Sequence, residues 1–259
     1  MLQWKNFINN AKKFGNCSVV NLNEASDKEI YVMKFCSSDT VKSLLNLDSD
    51  VSSRQPLFIA LIPNTSKIFV SLFCCNIALE DIYQKFSSFG LALEGCFNIE
   101  KITGLPNFYR GISYKDPNNM LTTQGQKLPT PTAYLILDNH FISKIIDETE
   151  LGSYQPVGVN VQYIEGQRLY KQGKLVANAS DNIVLVLATD ADNNVFMVYH
   201  KYITVMAILH SFKCSDAILL CSSPNAHILW KKAGLNTYNL TDFIGDPGDV
   251  VSNVVTFSA

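Results

Sequence analysis

Long blocks of apolar and polar residues alternate in the last third of the chain. An apolar run rich in β-branched residues covers Ile183–Ala188, and the polar segment Thr189–Asn194 follows it. A long apolar segment then extends over Val195–Phe212, and a second short run covers Ala217–Cys221. The segment Asn225–Ala233 has helical character and ends at a glycine. This order predicts strand, turn, helix, strand and helix.

Shorter blocks in the first hundred residues predict further helices and strands. Apolar residues recur at helical spacing in residues 3–14, where two lysines and a glycine indicate the helix C-terminus. We further predict a strand at Ile30–Phe35, a short helix capped by Asp39, a hairpin of Leu57–Ile62 and Ile68–Cys74, and a helix from Asn76 to Gly90.

A stretch rich in glycine and proline divides the chain. It covers residues 104–132 and predicts a connecting segment between an N-terminal α/β half, residues 1–103, and a second domain, residues 133–259. In the second domain we predict a strand at Tyr134–Leu137 and then a helix that Asp138 or Asn139 caps, that carries apolar residues of Phe141–Ile146 on one face and that ends at Gly152. We also predict strands at Val161–Glu165, Arg168–Tyr170, Leu175–Ala179 and Ile183–Ala188, a turn at Lys171–Lys174, and a final strand within Asp249–Phe257.

The composition narrows the class of protein. The chain has 259 residues, 47% of them hydrophobic, which suffices for a buried core. Its formal net charge of −2 argues against a nucleic-acid-binding protein. The seven cysteines form no CxxC pair, which favours free thiols in a reducing compartment. With no apolar run of membrane-spanning length and no signal-peptide pattern at the N-terminus, we expect a soluble cytoplasmic protein without a membrane partner.

Four segments together resemble the GNAT superfamily of N-acetyltransferases, closest to its FR47-like and glycine-acyltransferase-like members. Thr149–Tyr154 is similar to the segment before the family's central sheet, and Gly173–Ala177 is similar to one of its strands. Ala188–Asp192 resembles the strand that meets the cofactor loop, and Ser223–Leu235 resembles the C-terminal helix motif. The resemblance covers roughly residues 134–257. It implies an α/β fold with a mixed, GNAT-like C-terminal sheet.

The resemblance also implies an acetyl-CoA site, because the family binds the pyrophosphate on a glycine-rich turn at a helix N-terminus. The corresponding cofactor-binding positions are Leu187, Ala188, Thr189, Asn194, Val195, Phe196, Met197, Val198, Tyr199, Asn225 and Trp230. The sequence departs from the family at several of them. Met197 and Tyr199 fill the small positions of the turn, and Trp230 replaces the tyrosine that protonates the departing thiolate. No carboxylate lies within residues 183–189 to act as a base.

Three functional hypotheses remain open at this point. The first is an acyl-CoA-dependent N-acetyltransferase, or a catalytically degenerate relative, that takes a protein or another amine as substrate. The second is a non-enzymatic GNAT-fold protein that binds a macromolecular partner. The third is a cysteine-dependent hydrolase or deamidase on an unrelated α/β fold, with Cys17 after Gly15 as the nucleophile. Oligomeric state is open in all three.

Two aspartates and a histidine suggest a metal or acid–base site. Asp190 and Asp192 precede the apolar segment that contains His200. A solvated turn and a histidine on a helix surface account for them more simply, so we predict no metal site.

Overall fold

The computed structural model defines helices and strands between residues 2 and 258. The residues it describes are 2–15, 17–21, 30–35, 38–46, 56–65, 67–78, 91–94, 112–115, 132–138, 141–151, 153, 161–177, 183–221, 228–230, 243–244 and 250–258. The helices are α1 (Leu2–Ala11), α2 (Ser38–Leu45), α3 (Glu148–Leu151) and α4 (Tyr202–Ser211). The strands are β1 (Cys17–Asn21), β2 (Tyr31–Phe35), β3 (Leu57–Ile62), β4 (Lys67–Ala78), β5 (Leu91–Glu94), β6 (Ile112–Lys115), β7 (Thr132–Asp138), β8 (Phe141–Asp147), β9 (Val161–Lys171), β10 (Lys174–Leu175), β11 (Ile183–Thr189), β12 (Val195–Lys201), β13 (Asp216–Cys221), β14 (Ile228–Trp230), β15 (Phe243–Ile244) and β16 (Val250–Ser258).

A large antiparallel sheet forms the centre of the molecule. Nine of its eleven strands follow the order β1-β2-β3-β12-β11-β13-β9-β7-β8, and β6 and β10 also pair with β9. The central strands β3, β11 and β12 are apolar along almost their whole length and are buried. Continuous apolar strands of this kind are typical of a sheet that is covered on both faces.

Each face of the large sheet carries its own hydrophobic core. On one face Phe58 and Tyr199 pack with Trp230 of β14, which belongs to the second sheet. On the other face Phe196 packs with Trp4 of α1 and Phe212 beside the end of α4. The described residues therefore form a layer of helices, the large sheet and a smaller sheet.

The smaller sheet has five strands in the order β15-β14-β5-β16-β4. Its strand β4 pairs with β16 near the end of the chain, whereas β3 pairs with β2 and β12 in the large sheet. The predicted hairpin of these two apolar runs is therefore wrong, although both are strands. The short connection between them passes the chain from one sheet to the other. Asn76 lies within β4 and caps no helix there, and residues 79–90 of the predicted helix fall outside the described residues.

The helix predicted from Phe141 to Gly152 is wrong over Phe141–Asp147, whereas its last turn, Glu148–Leu151, is helix α3. The segment Phe141–Asp147 is β8, which forms a hairpin with β7 and has a β-bulge opposite Ile136 and Leu137. Three of its seven residues are isoleucine, and β-branched side chains favour a strand where a partner is available. The spacing of the apolar residues alone did not distinguish a strand from a helix, because the bulge interrupts the alternation of apolar and polar residues that is typical of a strand.

The long apolar segment Val195–Phe212 divides into two elements. Its first part is β12, which pairs with β11 and β3, and its second part is α4. The turn predicted at Thr189–Asn194 and the strand predicted at Ala217–Cys221 are confirmed. The helix predicted over Asn225–Ala233 is wrong at Ile228–Trp230, which is strand β14.

Most of the other predicted elements are confirmed. They are the first helix, the strand at Ile30–Phe35, the short helix around Asp39, the strands at Tyr134–Leu137, Val161–Tyr170 and Ile183–Ala188, the turn at Lys171–Lys174 and the strand at the end of the chain. Asp39 lies inside its helix, which begins at Ser38, so its predicted role as the cap is wrong. Of the strand predicted at Leu175–Ala179, only Leu175 belongs to a strand, β10, and residues 178–179 fall outside the described residues. The expected mixture of helix and sheet is present, but the protein is mostly β. All strand pairs of the described residues are antiparallel, so the GNAT-like mixed sheet with a splayed parallel pair is not what this part of the chain forms.

The two predicted halves contribute strands to the same sheets. Strands β1–β3 come from before the glycine- and proline-rich stretch, and β7–β13 come from after it. The domain boundaries at residues 103 and 133 stay a prediction. Within the part of the chain that the structure describes, no helix is long and apolar enough to cross a membrane.

A glycine on β9 allows the close approach of β13. At Gly166, an added Cβ would lie 2.7 Å from the carbonyl oxygen of Leu219 and 3.0 Å from Cβ of Ile218. The register of β13 on β9 shifts nearby, between Ala217 and Ile218. A backbone atom cannot move aside as a flexible side chain can, so any side chain at position 166 forces the strands apart.

We therefore expect Gly166→Ala to lower the free energy of unfolding by about 1–3 kcal/mol, the usual cost of overpacking. The matched control is Gly15→Ala, because a Cβ at Gly15 meets nothing within 4 Å. Urea unfolding of both variants measures the effect. Equal stability of the two variants would contradict the close approach of β9 and β13.

A candidate active site at one end of the large sheet

Four charged residues meet where several strands of the large sheet begin or end. Asp216 is the first residue of β13, Lys171 is the last of β9, and Asp147 is the last of β8. Arg168 lies on β9, three residues before Lys171. Antiparallel pairing brings these positions to one end of the sheet. We call Asp147, Arg168, Lys171 and Asp216 the charged cluster.

The cluster is organised around the buried side chain of Arg168. The residue is only 2% exposed, and its Nε donates a 2.8 Å hydrogen bond to the carbonyl oxygen of Tyr170. Its Nη2 donates a short hydrogen bond to Oδ1 of Asp216. Its Nη1 lies 3.2 Å from Oδ1 of Asp147 but is not aligned for a hydrogen bond to it, so that contact is an ion pair only. One guanidinium thus binds carboxylates from two strands on opposite sides of β9.

Both carboxylates of the cluster remain partly open to solvent. The side chain of Asp147 is 25% exposed and that of Asp216 is 19% exposed, whereas Arg168 is almost fully covered. Asp216 also accepts hydrogen bonds from the Ser215 hydroxyl, at 2.8 Å, and from the backbone N–H of Gln172, at 3.4 Å. These bonds fix the carboxylate without covering it. A ligand could therefore reach the two carboxylates but not the guanidinium.

The ammonium of Lys171 lies at the open side of the cluster. Its Nζ forms an ion pair with Oδ2 of Asp147, and its side chain is 39% exposed. The hydrogen bond to Asp147 raises the pKa of Lys171, with a further contribution from the charge of the same carboxylate. Lys171 is therefore a cation at neutral pH with donors to spare.

The turn between β11 and β12 lies at the same end of the large sheet. The carboxylate of Asp190 in this turn accepts hydrogen bonds from the backbone of the turn itself. Oδ1 of Asp190 accepts 2.9 Å hydrogen bonds from the backbone N–H groups of Asp192 and Asn194. Oδ1 of Asn194 accepts a 3.1 Å bond from the backbone N–H of Asn64, which fastens the turn to the end of β3. Asn193 takes the left-handed conformation, with φ 60°. This is an Asx-type turn, and it confirms the structural interpretation of these aspartates.

His200 is far from that turn. It lies near the other end of β12, five residues beyond Val195, which corresponds to roughly 17 Å along a strand. It is 2% exposed, so its predicted place on a helix surface is wrong. The aspartates and this histidine cannot share one ligand. Among the described residues, no group of three or more histidine, cysteine or acidic side chains could hold a metal ion.

Neither Cys17 nor Cys214 lies in the setting of a nucleophile. Cys17 opens β1 and pairs with Phe35 across the strands, so it is not at the helix start that a nucleophilic cysteine of this kind needs. Cys214 is buried beside the charged cluster, and its Sγ lies 3.3 Å from the carbonyl oxygen of Asp216. Burial raises the pKa of Cys214 strongly, and the charge of Asp216 adds to the rise. The Cys214 thiol thus stays protonated and structural.

The positions that the resemblance assigned to acetyl-CoA lie in the core. Leu187, Ala188 and Thr189 are on β11, Asn194 ends the turn, and Val195, Phe196, Met197, Val198 and Tyr199 are on β12. Trp230 is on β14, and Asn225 falls outside the described residues. Each of the placed residues is at most 4% exposed. Met197 and Tyr199 thus pack on one face of the central sheet and do not belong to a loop.

The charged cluster was missed by the sequence reasoning. Arg168 and Lys171 were assigned only to a strand and a turn, and Asp147 and Asp216 to no site. One signal was present in the sequence, namely an arginine within a strand that also carries Leu169 and Tyr170. A charge at a buried strand position needs a partner, but the partners are 21 and 48 residues away in the chain.

Comparison with known proteins finds similarity in the fold only. No protein-family model matches the sequence, and no curated protein matches it. The structure is similar to the catalytic domain of zebrafish N-acetylglucosamine-1-phosphodiester alpha-N-acetylglucosaminidase, solved in a form auto-inhibited by its pro-peptide. The TM-score is 0.58 at 12% identity, over 94% of this chain and 87% of that domain. A second structure, described as an exported protein of Burkholderia pseudomallei, has a TM-score of 0.45 at 9% identity over 79% of this chain and 74% of that one, too low to support an argument.

The fold similarity overturns the resemblance to the GNAT superfamily. The chain shares its architecture with a glycosidase domain over nearly its full length, and the acetyltransferase, degenerate acetyltransferase and GNAT-fold interaction hypotheses were wrong. The segments that suggested the family are strands and turns of a large antiparallel sheet. The acetyl-CoA site followed from that resemblance alone and stays a prediction.

Removal of the arginine should leave Asp216 without its ion-pair partner and Asp147 with Lys171 alone. We expect Arg168→Ala to lower the free energy of unfolding by about 3–5 kcal/mol, the usual cost of breaking a buried ion pair. Lys5→Ala on α1 is the control, because Lys5 is an exposed cation. Chemical unfolding at pH 7 measures both. A loss below about 1 kcal/mol for Arg168→Ala would mean that the cluster does not hold the strand ends together.

The stability of the folded protein at alkaline pH should depend on two buried acidic groups, the Cys214 thiol and the Tyr170 hydroxyl. Burial raises the pKa of Cys214 above its ordinary value of 9.0 and that of Tyr170 above 10.0. The unfolded chain therefore releases these protons at a lower pH than the folded protein does. Their contribution to stability is complete below about pH 9 and declines as the pH rises further.

We accordingly expect the urea midpoint to be steady from pH 7 to 8.5 and to fall above pH 9. Cys214→Ala should lessen this slope, whereas Cys17→Ala, at a half-buried cysteine, should keep it. The midpoints are measured by circular dichroism across the pH range. An unchanged slope in Cys214→Ala would contradict the assignment to the buried thiol.

Proposed function

We propose that this chain is a hydrolase that cleaves the glycosidic bond of a sugar linked through a phosphodiester. The observation that carries the proposal is the pair of partly exposed carboxylates, Asp147 and Asp216, held on the single buried guanidinium of Arg168. Glycosidases commonly use two carboxyl groups that flank the scissile bond. A rigid, partly open pair of this kind fits that use.

The ion pairs favour particular roles for the two carboxylates. A salt-bridged carboxylate can activate water, attack the anomeric carbon or stabilise an oxocarbenium-like transition state. It is poorly suited to donate a proton to a leaving group. The two salt-bridged carboxylates thus resemble the base half of an ordinary glycosidase site, and neither of them supplies its acid.

A phosphate leaving group removes the need for that acid. A phosphomonoester has a second pKa of about 6. As a leaving group it therefore departs as a stable anion at neutral pH and needs no proton. In the proposed reaction the oxygen of water bonds to the anomeric carbon, and the carbon–oxygen bond to phosphate breaks with its electron pair on the phosphate oxygen. The proton lost by water passes through a carboxylate to the solvent. The site chemistry thereby favours a glycosyl phosphodiester over a simple glycoside.

The fold similarity supports the same class of substrate by analogy. The zebrafish domain is named as an N-acetylglucosaminidase that acts on an N-acetylglucosamine-1-phosphodiester. A shared fold does not by itself establish a shared reaction, so the assignment depends on the charged cluster. We choose N-acetylglucosamine as the sugar of the proposed substrate because the zebrafish domain is named for it.

The direct test is hydrolysis of the methyl phosphodiester of N-acetylglucosamine 1-phosphate, with release of free sugar as the readout. We expect turnover by the wild-type protein, and a loss of about 100-fold or more in kcat for Asp216→Asn and for Asp147→Asn. Asp192→Asn is the matched control, because the side chain of Asp192 is exposed in the turn beside the cluster. The melting temperature of each variant separates lost chemistry from lost folding.

Hydrolysis by the wild-type protein is the decisive result for the proposed function. If it releases no sugar from this substrate or from the same phosphodiester of glucose and galactose, the proposed function is wrong. Full activity in both folded cluster variants would instead place the reaction elsewhere in the molecule.

A further inference from the structure

The hairpin of β9 and β10 carries Lys171 of the charged cluster and a second lysine, Lys174. Its two-residue turn consists of Gln172 and Gly173, with φ of 51° and 77°, as a type I′ turn requires. The backbone N–H of Gly173 donates a 2.7 Å hydrogen bond to the carbonyl oxygen of Ser215, and that of Gln172 reaches Oδ1 of Asp216. The tip of the hairpin is thus fastened beside one of the two carboxylates.

The residues that flank this turn carry like charges. Lys171 and Lys174 are directly paired across the two strands, which puts their Cβ atoms roughly 4.5–5.5 Å apart on the same face. Like charges in this arrangement destabilise a hairpin. Asp147 offsets the charge of Lys171. Along the described segments of the chain, no carboxylate forms an ion pair with Lys174, and its side chain is exposed.

We propose that Lys171 and Lys174 form the subsite for the phosphate of the substrate. This inference rests on the proposed function. A lysine ammonium has three donors, and Lys171 directs one of them to Asp147. Lys174 is paired directly with Lys171 across the hairpin, so both lysines lie on the face of it that meets Asp147. A phosphate bound there neutralises the repulsion of the lysines and places the sugar next to the carboxylates.

A purely structural role predicts a different result. Exposed lysines on edge strands also serve to keep strands from pairing with other molecules, and such lysines bind no particular ligand. The two roles differ in what Lys174→Gln does. For a phosphate subsite the variant should lose phosphate affinity and gain stability, because it removes both the ligand contact and the like-charge repulsion.

The test is calorimetric titration with inorganic phosphate and with N-acetylglucosamine 1-phosphate, at fixed ionic strength. We expect Lys174→Gln to weaken the binding of both about tenfold, the scale of one charge-assisted hydrogen bond, and to raise the melting temperature slightly. Lys5→Gln, at an exposed lysine of α1, should change neither. With the phosphodiester substrate, Lys174→Gln should raise KM and leave kcat nearly unchanged.

Failure of the subsite and failure of the proposed function give different results. Phosphate affinity that is equal in the wild type and Lys174→Gln, or absent from both, overturns the subsite whatever the hydrolysis assay shows. Binding that depends on Lys174 in a protein without hydrolytic activity supports the subsite as an anion-binding site and removes only the reaction.

Discussion

The contact between one buried guanidinium and two carboxylates determines the arrangement at the functional end of the sheet. Arg168 is covered by protein, so its charge must be matched within the fold. Asp147 and Asp216 supply that match from β8 and from β13. The same contact has two consequences, because it ties together strands that are distant in sequence and presents two carboxylates in a fixed arrangement.

The large sheet makes this arrangement possible. Its central strands β3, β11 and β12 are apolar on both faces, and the carboxylates that match Arg168 lie where β8 ends and β13 begins. The bulge of β13 on β9 and the close approach at Gly166 set the register by which Asp216 meets Arg168. The cluster therefore depends on backbone geometry several residues away from it.

Local pattern predicted the elements well where the signal was local. Helix α1, strand β11 and the turn at Lys171–Lys174 follow from apolar periodicity and turn residues, and the structure contains all three. The failures concern pairing at long range. The continuous apolar run Leu57–Ile62 indicates burial on both faces, but it does not encode whether its partner is the next apolar run or a strand more than 130 residues later.

The mistaken resemblance has the same origin. An apolar run, a polar turn and a second apolar run occur in many folds, and the position of Met197 and Tyr199 in a buried strand distinguishes this one. The absence of glycine there, which looked like the loss of a cofactor loop, is what a packed central strand requires. The charged cluster could not be found in the same way, since its members are spread over 70 positions and only the fold brings them together.

The most direct test of the account is a crystal structure of the protein with N-acetylglucosamine 1-phosphate bound. The account predicts the phosphate between Lys171 and Lys174, and the anomeric carbon facing Asp147 and Asp216 on an undisturbed Arg168. A ligand bound at the opposite end of the large sheet, or a cluster in which Arg168 does not contact both carboxylates, would contradict it.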